Sequence, residues 1–314
     1  MLTARVQPAH TTAFISNKGG VGKTHIAVNL AIQLVKEGRR VLLVDTDLSS
    51  ANADLRLGVR PAKTLMDFFE KRSDIFECLV PSGYGVHFLA GRSGDFGMAN
   101  LKHQQKIRLL RAFDRLVQRG GYTDIFFDLG AGIGNRVLDF ALVADECVIV
   151  ATPTDIISAY AALKACWVRH TGLSDMLYFK DRTKAFTSDP SKTGINGTGG
   201  LRMNFIVNQA DNLAEAKKVY LKILDVARTF FYTENGRTNM PIRYLGGIPY
   251  VQGLLRQAER AKIPATAMFP YHPFSQAIRE ITNVMIEKRE VAPNRLNIPF
   301  TQRVRGVVRT WVGT

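Results

Sequence analysis

The chain is expected to be an α/β protein with a mostly parallel central sheet covered by helices on both faces. Three observations predict this. Short apolar runs alternate with helical patterns along almost all of the chain. The first run leads directly into a glycine-rich loop and an amphipathic helix. The 314 residues, 46% of them hydrophobic, are enough to bury one large core.

Taken in order, the strands are the apolar runs at residues 13–16 (AFIS), 40–44 (RVLLV), 85–89 (GVHFL), 124–127 (DIFF), 146–151 (ECVIVA), 203–207 (MNFIV) and 243–248 (RYLGGI). Each is too short for a helix that must bury a face. Helices are expected at 23–36, 99–119, 136–143, 156–169, 213–231 and 273–288. Residues 187–200, TSDPSKTGINGTGG, break the rhythm and read as a surface loop without a core of its own. A globular domain over 1–290 is followed by a basic tail over 291–314, which contains no acidic residue.

Composition narrows the classes. Three cysteines (Cys78, Cys147, Cys166) form no CxxC pair, and neither they nor the six histidines have zinc-ligand spacing, so a reducing cytoplasm and no intrinsic metal site are expected. The first residues lack a signal-peptide core, and no run of apolar residues is long enough to span a bilayer. A formal charge of +15 favours anionic surfaces, whether nucleic acid, acidic lipid or acidic protein.

The stretch SNKGGVGKTH (16–25) ends in the GK[ST] of a phosphate-binding loop, between a strand and a helix as that motif requires. Gly19, Gly20, Val21 and Gly22 let backbone N–H groups close on phosphate oxygens, and Lys23, Thr24 and His25 open the helix whose N-terminus faces the same anion. Lys23 is expected at the β and γ phosphates of ATP and the Thr24 hydroxyl on Mg²⁺. The run VLLVDTD places Asp45 and Asp47 at the carboxyl end of a strand, where open α/β sheets bind ligands. The run DIFFDLGAGIG gives Asp128 the position of a Walker B carboxylate for Mg²⁺, followed by Gly130, Gly132 and Gly134 in a loop suited to report the γ-phosphate.

The KGGxGK[ST] form, with Lys18 five residues ahead of Lys23, resembles the deviant Walker A loop of the MinD/ParA family of dimerising ATPases. That resemblance implies an ATP-dependent homodimer in which Lys18 reaches the partner's nucleotide, Asp45 supports the magnesium shell and Asp47 orients the attacking water. It makes Lys18, Lys23 and Asp47 the catalytic set. Asn208 of IVNQ is then expected at adenine, with Pro249 of GGIPY lining the base. The segments DTDLSSANADLRLGVRPAKTLMDFF and FFDLGAGIGNRVLDFALVADECVIVATP, among others, resemble the branch of flagellar number regulators, FlhG (FleN), over about residues 11–288. Flagellar assembly proteins are therefore expected partners. Members of the branch often begin with a DQAxxLR segment that stimulates the GTPase FlhF; the dozen residues before the first strand here do not contain it.

In the tail, Phe300, Val304, Val307, Val308, Trp311 and Val312 share one face of a helix, with Arg303, Arg305 and Arg309 off that face. This pattern reads as an interfacial anchor on an anionic membrane, similar to C-terminal targeting helices of the MinD family; the alternative is a helix docked on its own domain. Arg108, Arg111, Arg115 and Arg119 form a second stripe, suited to DNA phosphates or an acidic partner if it is not simply solvated. The expected function is an ATP-hydrolysing dimerisation switch, cytoplasmic and peripheral on the inner face of the membrane, that controls placement or number of flagella. A ParA-like partition ATPase bound to DNA and a weakly hydrolysing scaffold are the alternatives.

Overall fold

The computed structural model describes residues 8–46, 53–91, 103–178, 202–231, 242–291 and 299–312. Its strands are β1 (His10–Ile15), β2 (Val41–Asp45), β3 (Leu79–Pro81), β4 (His87–Leu89), β5 (Asp124–Asp128), β6 (Glu146–Ala151), β7 (Arg202–Ala210) and β8 (Ile242–Pro249). They form one sheet in the order β3-β4-β2-β5-β1-β6-β7-β8, parallel throughout except for the antiparallel pair β3 and β4. The predicted class is the observed one. β3 was not predicted, because a three-residue edge strand ending in proline carries no periodic signal. β4 starts two residues later than expected: Gly85, at φ 76°, belongs to the turn before it, where Val86 O accepts from Ser82 N at 2.8 Å.

The helices are α1 (Lys23–Lys36), α2 (Ala53–Leu57), α3 (Leu65–Phe69), α4 (His103–Arg119), α5 (Asn135–Leu142), α6 (Ile156–Tyr178), α7 (Leu213–Phe231), α8 (Leu254–Ala261), α9 (Ala265–Met268), α10 (Pro273–Val291) and α11 (Phe300–Val312). Strand alternation divides the core in two. Phe14, Leu43, Phe126 and Val148 face α1, α2 and α8 to α10, whereas Ile15, Val44, Phe127 and Ile149 face α3 to α7 and α11. Residues 187–200 lie outside the described residues.

Helix α1 is buried on nearly every side, which explains its apolar run from Ile26 to Leu34. Of the two polar residues inside it, Asn29 is engaged through both amide atoms: Nδ2 donates to His25 O at 2.7 Å, and Oδ1 accepts from Thr266 N at 2.8 Å and Thr266 Oγ1 at 2.9 Å. At the amino ends of the strands, Arg289 of α10 is buried against Asp124 and Glu146, donating to Glu146 Oε1 at 2.7 Å and to Thr12 Oγ1 at 2.9 Å. Burial alone would raise the Glu146 carboxyl, but Arg289 and His10 hold it well below its ordinary value.

The tail forms the predicted helix, and in this structure it is docked on its own domain, the alternative that its pattern left open. Phe300, Val304 and Val307 are only 4%, 4% and 5% exposed, and Val308 packs against the same core. The Phe300 ring stacks on Phe127 at 6.5 Å with 16° between planes. Polar contacts hold α11 to its neighbours: Arg303 donates to Asp145 Oδ1 at 2.9 Å and to Ala144 O at 3.1 Å, and Thr301 donates to Asp114 Oδ1 at 2.6 Å. These four residues of the predicted membrane face meet protein here because α4 and α6 leave a groove over Phe127 that an amphipathic helix fills as well as a lipid surface would accept it. The side chains of Trp311 and Val312 lie outside the described residues.

Candidate nucleotide site

The chain leaves β1 through α1 to reach β2, and leaves β5 through α5 to reach β6 on the other side of β1. The connections therefore part around β1, and the loops after β1 and β5 open a crevice at the carboxyl end of the sheet. A cavity of about 410 Å³ lies there, walled by residues 18–25 together with Ser16, Arg56, Ala131, Gln209 and Leu255.

The loop owes its shape to glycine. Gly20 and Gly22 take φ of 80° and 88°, and a Cβ on Gly19 or Gly20 would meet no other atom, so the backbone presents itself to open space. Gly22 has a second reason: a Cβ there would come within 2.4 Å of Asn208 Nδ2. Asn208 uses that amide to donate to Val21 O at 2.8 Å, and Gln209 Nε2 donates to Gly20 O at 3.3 Å. The end of β7 thus braces the loop from beneath. Asn208, expected at a base, is engaged here as a brace, and neither it nor Pro249, at the end of β8, lines the cavity.

Lys23 reaches from the first turn of α1 to Asp128 at the end of β5, Nζ to Oδ1 2.5 Å, and both groups are buried. The other Asp128 oxygen, Oδ2, is buried with no hydrogen-bond partner among the described residues. Asp45 is the register partner of Asp128 on β2 and accepts from Ala53 N at 3.3 Å, so the two carboxylates stand side by side at the strand ends. Thr24 lines the cavity, half-buried. An unsatisfied buried carboxylate oxygen beside a second carboxylate and a hydroxyl fits a hard divalent cation such as Mg²⁺. Asp47 lies outside the described residues.

The glycine loop after Asp128 is hung on the phosphate loop. Gly132, at φ 113°, donates its N–H to Ser16 O at 2.9 Å, and Thr46 donates to Asp128 O through both N–H and Oγ1, at 3.0 and 2.9 Å. Lys18 stands apart from Lys23: it is 64% exposed, with Nζ 3.6 Å from Asp155 Oδ2.

His25, expected to meet nucleotide, lines the cavity, and its ring also meets α2 and α8. Its Nε2 lies 3.0 Å from Glu259 Oε1 and 3.2 Å from Arg56 Nε, while Arg56 Nη2 donates to Glu259 Oε1 at 2.8 Å. Burial and then the neighbouring Arg56 push the imidazole down to about 4, so it is neutral at neutral pH. Arg56, Gln209 and Leu255 were not anticipated. Arg56 sits on a single turn of helix with no periodicity to read, and only the fold brings Leu255 to the loop.

Over residues 12–268 the sequence matches the family described as CbiA, the CobQ/CobB/MinD/ParA nucleotide binding domain. It is similar to the antiactivator FleN of Pseudomonas aeruginosa, with 29% identity over 278 residues, 88% of this chain and 86% of that protein. It is also similar to the flagellum site-determining protein YlxH of Helicobacter pylori, 28% identical over 294 residues, 91% and 84% of the two chains. The solved structure of the septum site-determining protein MinD complexed with Mg-ADP from Pyrococcus horikoshii OT3 has the same fold, with a TM-score of 0.59 at 22% identity, covering 92% of this chain and 100% of that one.

Proposed function

Because this chain belongs to the CobQ/CobB/MinD/ParA nucleotide-binding family, we propose that it is an ATP-hydrolysing switch that dimerises on ATP, cycles between cytosol and membrane, and controls placement or number of flagella. The flagellar part rests on its similarity to FleN and YlxH. The observation that carries the enzymatic part is the buried Lys23 and Asp128 pair with its spare carboxylate oxygen, set at a glycine-lined cavity beside an exposed second lysine.

Hydrolysis of this kind is mostly positioning and charge neutralisation. Lys23 lines the cavity with its ammonium held by Asp128, and it would be shared with phosphate oxygens when nucleotide binds. Mg²⁺, held by Thr24 and Asp128 with Asp45 behind them, would supply charge neutralisation on the transferring phosphoryl group. The amides of Gly19 to Lys23 bind the remaining oxygens, and Asp47 orients water. Lys18 is not committed to its own cavity, and its exposed pair with Asp155 is easily exchanged for a partner's phosphate. A cation supplied in trans makes turnover depend on dimerisation, and in related chemistry an arginine in that role is worth roughly 10³ to 10⁵ in rate.

Membrane association is proposed as the second half of the cycle. Since Phe300, Val304 and Val307 are stowed in the core here, the helix must leave its groove before these side chains meet lipid. Two tails on one ATP dimer then bind with high effective concentration. Among the described residues no helix is long and apolar enough to cross a membrane.

Sedimentation with phosphatidylglycerol vesicles tests the cycle, comparing ATP with ADP and the full chain with one ending at Arg295. Pelleting of the full chain in ATP alone is expected; equal pelleting in all four conditions would remove the anchor. Asp47→Ala should accumulate the ATP dimer, and unchanged dimerisation and vesicle binding would refute the proposed order of events.

A further inference from the structure

The arginines of α4 are not a uniform solvated stripe. Arg108 lies over the Phe68 ring, 4.4 Å from its centroid, and its Nη1 donates to Phe69 O at 3.4 Å. Arg115 lies over Phe76 at 5.7 Å and donates to Asp74 Oδ2 at 2.8 Å. Between them Arg111 is exposed and has no ion-pair partner among the described residues. With Ile107 and Ala112 these groups line a cleft of about 510 Å³ on the flank of α4.

We propose that this cleft docks an acidic segment of a partner protein, with a carboxylate on Arg111 and an apolar side chain against Ile107 and Ala112. Among the described residues, three guanidinium groups face one carboxylate, Asp74, which Arg115 already holds, so the lining carries excess positive charge. Arg108 and Arg115 are fixed on aromatic rings before any ligand arrives, which reduces the side-chain entropy lost on binding. The planar fork of Arg111 suits a carboxylate. Nucleic acid fits less well. The face of Phe68 is already covered by Arg108 and offers no platform for a base, and Asp74 would oppose a phosphate chain.

Fluorescence anisotropy on the full chain tests this, with a fluorescein-labelled peptide of alternating glutamate and leucine as the probe. Arg111→Glu should weaken binding by about tenfold or more, the loss a central interface arginine commonly produces. Arg119→Glu, an equal charge change at the exposed end of α4 and outside the cleft, should leave binding unchanged. ATP affinity retained by both variants verifies their fold. Three results would overturn the proposal: no peptide binding at low salt, binding indifferent to Arg111→Glu, or an Arg111-dependent preference for duplex DNA or phosphatidylglycerol vesicles over the peptide.

Discussion

Lys23 and Asp128 neutralise each other where neither meets bulk water, so each is the condition for burying the other. Lys23→Met should therefore do two things. It should abolish measurable ATP binding, and it should destabilise the nucleotide-free protein by about 3 kcal/mol, because a lone buried carboxylate remains. Adding Asp128→Asn should restore much of that stability without restoring binding, as read by urea unfolding and nucleotide titration. His25 gives a pH signature. Its folded value, about 4, lies below the ordinary 6.5, so the unfolded chain takes up the proton first. Its contribution is intact above pH 6.5 and is lost progressively as pH falls toward 4, by about 2 kcal/mol at pH 5. His25→Gln should flatten this part of the stability profile relative to the parent. Equal slopes for the two proteins would place the ring in a solvated setting.

At the scale of elements, α11 shows what a sequence pattern determines and what it leaves open. Spacing placed Phe300, Val304, Val307 and Val308 on one face, and they share one face. The pattern has no information on what covers that face, because a groove and a bilayer select the same residues. The deciding fact is tertiary: Phe127 sits at the floor of a gap between α4 and α6, and Asp145 and Asp114 stand where Arg303 and Thr301 need them. The same limit applies at the nucleotide site. The phosphate loop was legible because strand, glycines, lysine and helix are contiguous. Arg56, Leu255 and the bracing role of Asn208 depend on α2, α8 and β7 meeting across the fold. Arg303→Glu should loosen the helix by facing Asp145 with a like charge. Faster hydrogen exchange across 300–312 and greater vesicle pelleting without ATP are expected, and unchanged exchange would show that apolar packing alone retains the helix.

For the whole molecule the decisive residue is Lys18, which is exposed and lies on the rim of the cavity that Lys23 enters. Lys18→Ala should leave the affinity of the monomer for ATP nearly unchanged and remove the dependence of turnover on protein concentration. Loss of monomer binding would make its role local. The parallel sheet, the two helix layers and the crevice at the strand ends followed from apolar runs alternating with helices, since each parallel crossover requires a helix between strands; the order of the strands did not, because alternation alone does not fix which strands are neighbours. Helices α2, α3 and α9 and strand β3 were not predicted, because a single turn or three extended residues have no period, and the eight-residue α8 was not predicted either.

One peptide unit separates Asp128 from Phe127. The first residue holds the lysine of the phosphate loop, and the second, pointing through the other face of β5, seats the ring of Phe300. The lysine of the phosphate loop and the tail are thus met by two adjacent residues of one strand. A shift at the end of β5 would therefore reach the phosphate-loop lysine and the tail together, with no longer route between them.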